Sequence, residues 1–144
     1  MIVLNSENSS YLFDTYAWIE YFIGSDEGSI VKRLLDSENV STSIISLAEL
    51  SDKYFREKLF DEWQERYDFI INKSTVLPIS LENAKKVGQK KWELRNKGES
   101  LGLADSLIIQ TAEENNLIIV TGDPHFKTIG NVRFLSKAEN KEEK

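Results

Sequence analysis

The sequence predicts an α/β protein in which a mainly parallel sheet is flanked by helices. Short apolar stretches with strand character alternate with helical segments of about a dozen residues, which is the pattern of such a fold. The stretch Leu117–Val120 is an unbroken apolar run, as expected for a strand buried on both faces. The 144 residues contain no internal repeat and no linker-like segment, which predicts a single domain over residues 1–144.

The predicted strands are short, and only one of them contains proline. Pro78 interrupts its strand and offers no N–H for pairing, so this strand is expected at an edge of the sheet. The last strand is followed by a charged tail, residues 137–144, which is expected to be mobile. Residues 1–10 form an N-terminal extension without an assigned role. The five predicted strands are Tyr11–Phe13, Asn39–Ser43, Thr75–Ser80, Leu117–Val120 and Val132–Leu135.

Helical segments with apolar residues three and four positions apart connect these strands. Trp18 belongs to the apolar side of the first segment, and Trp63 and Trp92 in later segments are likewise expected in the core. The fourth segment is expected to be interrupted at Gly88 and to end at Gly98. The five predicted helical segments cover residues 15–22, 28–37, 47–67, 81–97 and 103–115.

Composition excludes several classes of protein. The chain has no cysteine, so it has neither a disulfide framework nor a thiolate metal site. No apolar run approaches the ~20 residues of a transmembrane helix, and residues 1–10 lack the features of a secretion signal. These features fit a cytoplasmic protein without a membrane partner. The net charge of −6 argues against general nucleic-acid affinity through a basic surface.

Four acidic residues lie at the ends of predicted strands or near the starts of predicted helices: Asp14, Glu49, Asp105 and Asp123. Each has a structural explanation. Asp14 and Asp123 can cap helices, and Asp105 favours the dipole of its helix. Glu49 completes a capping box in which Ser46 is the cap. All four are nevertheless flanked by apolar residues, where an unpaired carboxylate is costly.

A cluster of these carboxylates predicts a magnesium-type site. The carboxyl ends of parallel strands meet at one edge of a sheet, which brings such acids together. Two carboxylates within about 5 Å repel by roughly 3 kcal/mol at an effective dielectric constant of about 20. A divalent cation relieves this repulsion, and oxygen ligands without His or Cys favour Mg²⁺ or Mn²⁺ over zinc. Such an ion also lowers the pKa of a bound water, which makes it a stronger nucleophile.

The segments FDTYAWIEYF, SLAEL, LADSLIIQTA and VTGDPHF resemble, in order and spacing, the four acidic motifs of PIN-domain ribonucleases. They are most similar to the motifs of VapC-type toxins of prokaryotic toxin–antitoxin pairs, and the similarity extends from Tyr11 to about Leu135. The resemblance implies a PIN-like three-layer sandwich. It also implies metal-dependent hydrolysis of RNA to 5′-phosphate and 3′-hydroxyl ends, a cognate antitoxin and a homodimer.

The resemblance assigns roles to individual residues. Thr121 matches the small hydroxyl that the family has two places before the last acid. Thr15 is a weaker match for a second hydroxyl, because the family more often has Ser or Thr at the place occupied here by Tyr16. His125, the only histidine, is expected at the surface or beside the metal-binding acids rather than as a general base. The catalytic and metal-binding acids are then Asp14, Glu49, Asp105 and Asp123.

A basic stretch offers a candidate RNA-binding surface. Six of the 18 basic residues lie between Lys85 and Lys97, against one acid. One interpretation is a solvated helix face. The other is a strip that follows the RNA backbone, with Lys90, Lys91 and Arg95 as its main contacts. The same face could instead bind an acidic partner.

Three alternatives use the same type of fold. The first is a PIN-domain nuclease that processes ribosomal or other RNA without an antitoxin. The second is an inactive PIN domain that binds RNA or protein, which the presence of all four acids disfavours. The third is a phosphoacceptor receiver domain, which needs paired acids after the first strand. Asp14 stands there between Phe13 and Thr15, so this third alternative is disfavoured.

Overall fold

Five strands form the centre of the fold: β1 (Ser10–Phe13), β2 (Asn39–Ser43), β3 (Thr75–Leu77), β4 (Ile118–Thr121) and β5 (Val132–Phe134). The computed structural model describes residues 10–98 and 100–136. Within them all strand pairs are parallel, in the order β3-β2-β1-β4-β5. The predicted N-terminal extension, apart from Ser10, and the predicted mobile tail lie outside the described residues.

Helices connect the strands and cover both faces of the sheet. A short 3-10 helix, Pro124–Phe126, follows β4. None of the helices in the described ranges is long and apolar enough to cross a membrane. The α-helices are α1 (Thr15–Ile23), α2 (Asp26–Ser37), α3 (Ile44–Arg56), α4 (Phe60–Lys73), α5 (Leu81–Asn96) and α6 (Leu103–Glu114).

Two hydrophobic cores lie on opposite faces of the sheet. Helices α1 to α4 pack on one face, where Phe13 and Val120 point. Helices α5 and α6 pack on the other, with Leu12 and Ile119. Neighbouring residues of β1 and β4 therefore enter different cores, as alternation along a strand requires. The predicted α/β sandwich of three layers with a parallel central sheet is confirmed.

The carboxyl ends of β1 and β4 are neighbours at one edge of the sheet. Phe13 is paired with Val120 of β4 on one side and with Thr42 of β2 on the other. The chain passes from β1 to β2 in one direction and reaches β4 by crossing back from β3 at the edge, so the strand order switches between β1 and β4. Such a switch point forms a crevice for ligands beyond the strand ends.

The long helical segment predicted from residue 47 to 67 is two helices. Helix α3 ends at Arg56 and α4 begins at Phe60, and between them Lys58 has a left-handed φ of 61°. The Leu59 N–H donates to the carbonyl of Tyr54, which closes the turn. The single-helix prediction is wrong because apolar residues continue across the turn at helical spacing. Periodicity alone does not report where the chain reverses.

Other local predictions on α5 and β3 also need correction. Helix α5 runs without a break through Gly88, and its predicted end at Gly98 is correct, with a φ of 89° there. Trp92 is 64% exposed, so its prediction as a core residue is wrong. It lies on α5 but does not join the side that packs on α6, where Leu94 is buried. Strand β3 ends at Leu77, directly before Pro78, and it is the edge strand that the proline predicted.

Candidate functional site

A cavity of about 390 Å³ opens at the carboxyl edge of the sheet, beside the switch between β1 and β4. The four acids predicted from the sequence all line it: Asp14, Glu49, Asp105 and Asp123. We call it the acid cavity. A larger cavity, of about 530 Å³, lies beyond the end of α6 and has Glu113 as its only charged lining residue. The acid cavity is therefore where charged groups converge.

Asp14 lies at the base of the acid cavity and is 4% exposed. It follows β1 and caps α1, as predicted, because its Oδ1 accepts a hydrogen bond from the Ala17 N–H at 2.9 Å. Burial raises its pKa from 3.8 to about 7, and the negative charges of Asp123 and Asp105 act in the same direction. Hydrogen bonds from the Thr121 hydroxyl and the Ala17 N–H oppose the increase in pKa but do not cancel it.

Glu49 enters the cavity from α3 and does not form the predicted capping box. The cap of α3 is Ser43, whose Oγ accepts from the Ile45 N–H at 3.0 Å. Ser46 is fully buried inside the helix, because β2 passes directly into α3 and the helix begins earlier than predicted. The Glu49 carboxylate instead accepts a hydrogen bond from the Thr15 hydroxyl, with 2.5 Å between Oε1 and Oγ1.

Asp105 and Asp123 approach from the other side of the cavity. Asp105 lies in the first turn of α6, where burial raises its pKa and the charges of Asp123 and Glu49 raise it further. Asp123 caps the 3-10 helix through a hydrogen bond of 3.0 Å from the His125 N–H. Asp123 is thus the helix cap that the sequence predicted, and it also lines the cavity.

Two threonine hydroxyls form hydrogen bonds with three of the four acids. The Thr121 Oγ1 accepts the backbone N–H of Asp123 at 3.0 Å and also bonds to the carboxylate of Asp14. Thr15 contacts a different acid, Glu49, from the position directly after Asp14. Each hydroxyl thus bonds to the carboxylate of an acid that is distant from it along the chain.

The donor set fits a hard divalent cation. Its members are carboxylate oxygens, which suit Mg²⁺ or Mn²⁺, and mutual repulsion together with burial raises the pKa of Asp14 and Asp105. In the described ranges, no three acids or histidines stand close enough together to form a complete metal cage. Mg²⁺ usually binds through one or two carboxylates and keeps several waters, which a cavity of about 390 Å³ accommodates.

Residues that the sequence analysis did not select also line the cavity. Helix α3 contributes Asp52, Lys53 and Arg56 next to Glu49. A detectable signal existed, because Glu49, Lys53 and Arg56 are separated by four and three positions and so share one helix face. The two basic residues place positive charge at the rim of an otherwise acidic cavity.

Tyr16 also lines the cavity, and the sequence analysis did not predict its role. Its ring lines the acid cavity and packs against Gly122, where a Cβ atom would lie 2.7 Å from the Tyr16 Cζ. Its hydroxyl donates to the Glu27 carboxylate at 2.6 Å. The Tyr16 ring thus packs on the backbone next to Asp123.

The predicted basic strip lies on α5, away from the lining of the acid cavity. The Lys90 Nζ is 2.9 Å from the Glu113 carboxylate on α6, and Lys86 pairs with Glu82 on its own helix. Lys91 and Arg95 lie on the same helix and are not among the residues that line the acid cavity. His125 is 56% exposed in its side chain, and its Nδ1 is 3.5 Å from the Asp123 carboxylate.

A family model described as the PIN domain matches residues 11–132, which is most of the chain. No curated protein matches the sequence at a significant level.

Several solved structures have a similar fold. VapBC2 from Rickettsia felis, bound to a DNA fragment from its promoter, is 24% identical with a TM-score of 0.73 over 88% of this chain and 99% of that chain. DNA-bound VapBC from Salmonella typhimurium is 23% identical with a TM-score of 0.71 over 90% and 98%. VapC20 from Mycobacterium tuberculosis, a toxin that cleaves the sarcin–ricin loop, is 17% identical with a TM-score of 0.71 over 89% and 100%. At these identities the likeness shows a shared fold.

Proposed function

Since the chain belongs to the PIN domain family, we propose that it is a metal-dependent endoribonuclease and the cytoplasmic toxin of a type II toxin–antitoxin pair. One observation carries the nuclease proposal. Four carboxylates from four separate segments line one cavity at the switch point of the sheet, and the most buried has a pKa of about 7. The catalytic and metal-binding residues of this proposal are Asp14, Glu49, Asp105 and Asp123.

The residues of this chain divide the work in the proposed reaction. Asp14, Asp105 and Asp123 would hold the cation, and Glu49 would either join them or orient the attacking water. Mg²⁺ or Mn²⁺ supplies, when bound, charge neutralisation for the phosphate and activation of water. Thr121 keeps Asp14 and Asp123 together, and Thr15 directs the Glu49 carboxylate. These hydrogen bonds lower the cost of holding several negative charges in one place.

The toxin assignment is supported by the kind of proteins that share the fold. The R. felis and S. typhimurium structures are VapBC complexes, and a similar structure from Klebsiella pneumoniae, with a TM-score of 0.63, is a toxin–antitoxin complex. We propose by this likeness that a cognate antitoxin binds the present chain. Expression of the chain is then expected to stop growth of its host, and Asp123→Asn is expected to abolish that arrest.

An exposed apolar stripe on α4 supports the proposal of a homodimer. Phe60, Tyr67 and Ile71 are spaced by seven and four residues, which places them on one side of the helix. They are 51%, 40% and 42% exposed. The ring of Phe55, from the end of α3, lies 5.2 Å from that of Phe60 and extends the stripe. Exposed apolar side chains grouped in this way are typical of protein interfaces.

The nuclease proposal is tested by incubating the pure protein with tRNA and rRNA in the presence of Mg²⁺, Mn²⁺ or EDTA. Cleavage is expected with either metal and not with EDTA. Asp14→Asn and Asp123→Asn are expected to reduce the rate by at least about a hundredfold, because each removes a charge needed at the reacting phosphate. Mapping the ends identifies the bond that is cut.

Asp61→Asn is the matched control for this experiment. Asp61 is an exposed acid in the first turn of α4, so its loss changes the net charge equally without touching the acid cavity. The control is expected to cleave like the wild type. Equal cleavage by the wild type and both cavity variants would identify a contaminating nuclease. Binding without cleavage would favour an inactive RNA-binding domain, and activity without growth arrest would favour an RNA-processing enzyme.

A further inference from the structure

The rim of the acid cavity carries a pair of basic residues on α3. Lys53 and Arg56 line the cavity together with the four acids. They follow Glu49 on the same face of the helix, about 6 Å and about 10 Å further along its axis. We refer to Lys53 and Arg56 as the α3 cation pair. The pair therefore extends in a line away from the site where the proposed reaction takes place.

A polyanionic substrate needs positive charge at this position. The cavity concentrates five acids once Asp52 is included, and the whole chain has a net charge of −6. A cation held by the carboxylates can neutralise only the phosphate that it contacts. The neighbouring phosphates of the strand would still be repelled, and side chains of Lys and Arg are what usually compensate them.

The α3 cation pair is oriented by nearby acids but keeps donors for a ligand. The Lys53 Nζ lies 2.6 Å from Glu57, and the Arg56 Nε lies 3.0 Å from Asp52. Among the described residues, Asp52 accepts a hydrogen bond from the Nε atom of the guanidinium, and the terminal amino groups can bind another anion. Ion pairs this exposed are weak, so a phosphate can replace the carboxylates.

The basic residues of α5 are placed less favourably for the same task. Lys90 is bound to Glu113 across the seam between α5 and α6, and its neighbourhood there is lined by Lys86, Gln89, Glu93 and Gln110. In the described part of the chain, no basic residue of α5 lines the acid cavity. The basic residues that line the acid cavity together with the four acids thus come from α3.

We propose that Lys53 and Arg56 bind the phosphates that neighbour the cleaved one, so that the RNA strand leaves the acid cavity along α3. This inference rests on the proposed nuclease function and adds a binding site to it. The helix then supplies both an acid of the reaction centre and the contacts that set the direction of the strand. These contacts read the backbone and carry no base preference.

The test compares Lys53→Gln/Arg56→Gln with the wild type. Binding of a short fluorescein-labelled single-stranded RNA is measured by anisotropy against NaCl concentration, with both proteins carrying Asp123→Asn to prevent cleavage. Loss of two phosphate contacts is expected to weaken binding about tenfold and to lower the salt slope by about 1.4. In the proteins with intact Asp123, KM is expected to rise while kcat changes little.

A matched control and a reverse variant sharpen the result. Lys32→Gln/Arg33→Gln removes the same charge from two exposed residues of α2, which are not among the residues that line the acid cavity, and it is expected to leave binding close to the wild type. Glu57→Gln releases Lys53 from its carboxylate and removes a negative charge, so it is expected to strengthen RNA binding. Lys53→Arg/Arg56→Lys keeps both charges and is expected to restore most of the salt slope.

Chemical substitution of the RNA identifies the groups that are bound. Replacing the phosphates beside the mapped cleavage site by neutral methylphosphonates is expected to weaken binding to the wild type but not to Lys53→Gln/Arg56→Gln. An unchanged salt slope in that variant, or an equal loss in the Lys32 and Arg33 control, would overturn the inference while the nuclease function stands. A wild type that neither binds nor cleaves RNA would overturn the proposed function itself.

Discussion

Asp14 is at once a helix cap and the most buried acid of the candidate site. Its Oδ1 satisfies the N–H of Ala17, so the residue is needed where it stands for structural reasons. Burial nevertheless makes its ionised form expensive, which raises its pKa to about 7. A proton or a bound cation relieves this cost. Because folding buries the carboxylate, the folded protein binds positive charge at this site more strongly than the unfolded chain does.

The raised pKa of Asp14 predicts how stability depends on pH. The unfolded chain releases this proton near pH 3.8, whereas the folded protein keeps it until about pH 7. Between these values the folded state binds more protons, so the free energy of unfolding decreases as pH rises. Asp14→Asn removes this effect. Between pH 5 and pH 8, in EDTA, the stability of the variant relative to wild type is expected to increase by roughly 3 kcal/mol.

Urea unfolding of both proteins at the two pH values provides the measurement, and Asp61→Asn serves as the control because that acid is exposed. Parallel pH dependences of the wild type and Asp14→Asn would contradict the burial of an acid with a raised pKa.

Gly122 is required by the ring of Tyr16. A methyl group at Gly122 would lie 2.7 Å from Cζ of that ring, and the hydrogen bond to Glu27 holds the ring in place. Gly122→Ala is therefore expected to lower the free energy of unfolding by about 1–3 kcal/mol. The loss is expected to disappear in a Tyr16→Ala background, which removes the ring. Thermal or urea unfolding of the four proteins of this cycle measures the coupling.

Gly130→Ala is the control for this substitution, since nothing lies within 4 Å of a Cβ atom at that position. It is expected to be nearly neutral. The same loss of stability at both glycines, or no coupling to Tyr16, would show that the ring does not hold the Thr121–Asp123 turn.

At the scale of the elements, α3 has two functions that divide along its faces. One face buries Leu47 and Leu50 in the core, while the other presents Glu49 and the α3 cation pair to the acid cavity. The helix can do so because Ser43 caps it, which leaves the carboxylate of Glu49 for the hydrogen bond from Thr15. An amphipathic helix that begins at a strand end thus carries acids and cations into the crevice.

The exposed apolar stripe on α4 is expected to form the interface of the proposed homodimer. Tyr67→Lys/Ile71→Lys places two charges on the exposed stripe, where they would be desolvated in an interface. The wild type is expected to sediment as a dimer and the variant as a monomer in analytical ultracentrifugation. Leu81→Lys on α5 changes a residue that is 88% exposed and is expected to remain dimeric. A variant of the stripe that still sediments as a dimer would place the interface elsewhere.

Boundaries of the elements show what periodicity can and cannot predict. The predicted limits of strand β2, Asn39 and Ser43, are those observed, and Ser43 at its end also caps α3. The turn at Lys58 is not predicted, because this residue adopts the left-handed conformation and neither glycine nor proline marks the turn in the sequence. The exposure of Trp92 was missed because apolar character predicts burial only on average.

At the scale of the whole molecule, binding of a cation is expected to stabilise the fold. At ten times its Kd, a ligand that binds only the folded protein adds about 1.4 kcal/mol, or roughly 3–6 °C in Tm for a domain of this size. Titration with Mg²⁺ or Mn²⁺ at pH 8 is expected to raise the Tm of the wild type and of Asp61→Asn. The Tm of Asp14→Asn is expected to respond much less. A flat Tm in the wild type would argue against a divalent metal at these acids.

Sequence alone predicted the fold class and selected the four acids that line the cavity. Local sequence patterns predict both of them: apolar runs indicate strands buried on two faces, and the acids lie next to apolar runs. The structural alternatives for these acids were also visible, and Asp14 and Asp123 are indeed caps. Capping and membership of a site are compatible, because both place a carboxylate at the carboxyl end of a strand.

Only the tertiary structure decided which other residues join the acids. Thr15 reaches Glu49 across 34 positions of sequence, and Tyr16 packs on Gly122 although more than a hundred residues separate them. The α3 cation pair lines the cavity, whereas Lys90 of the longer basic stretch on α5 pairs with Glu113 of α6. Contacts between residues distant in sequence depend on strand order and helix packing. A local sequence pattern does not predict either of these.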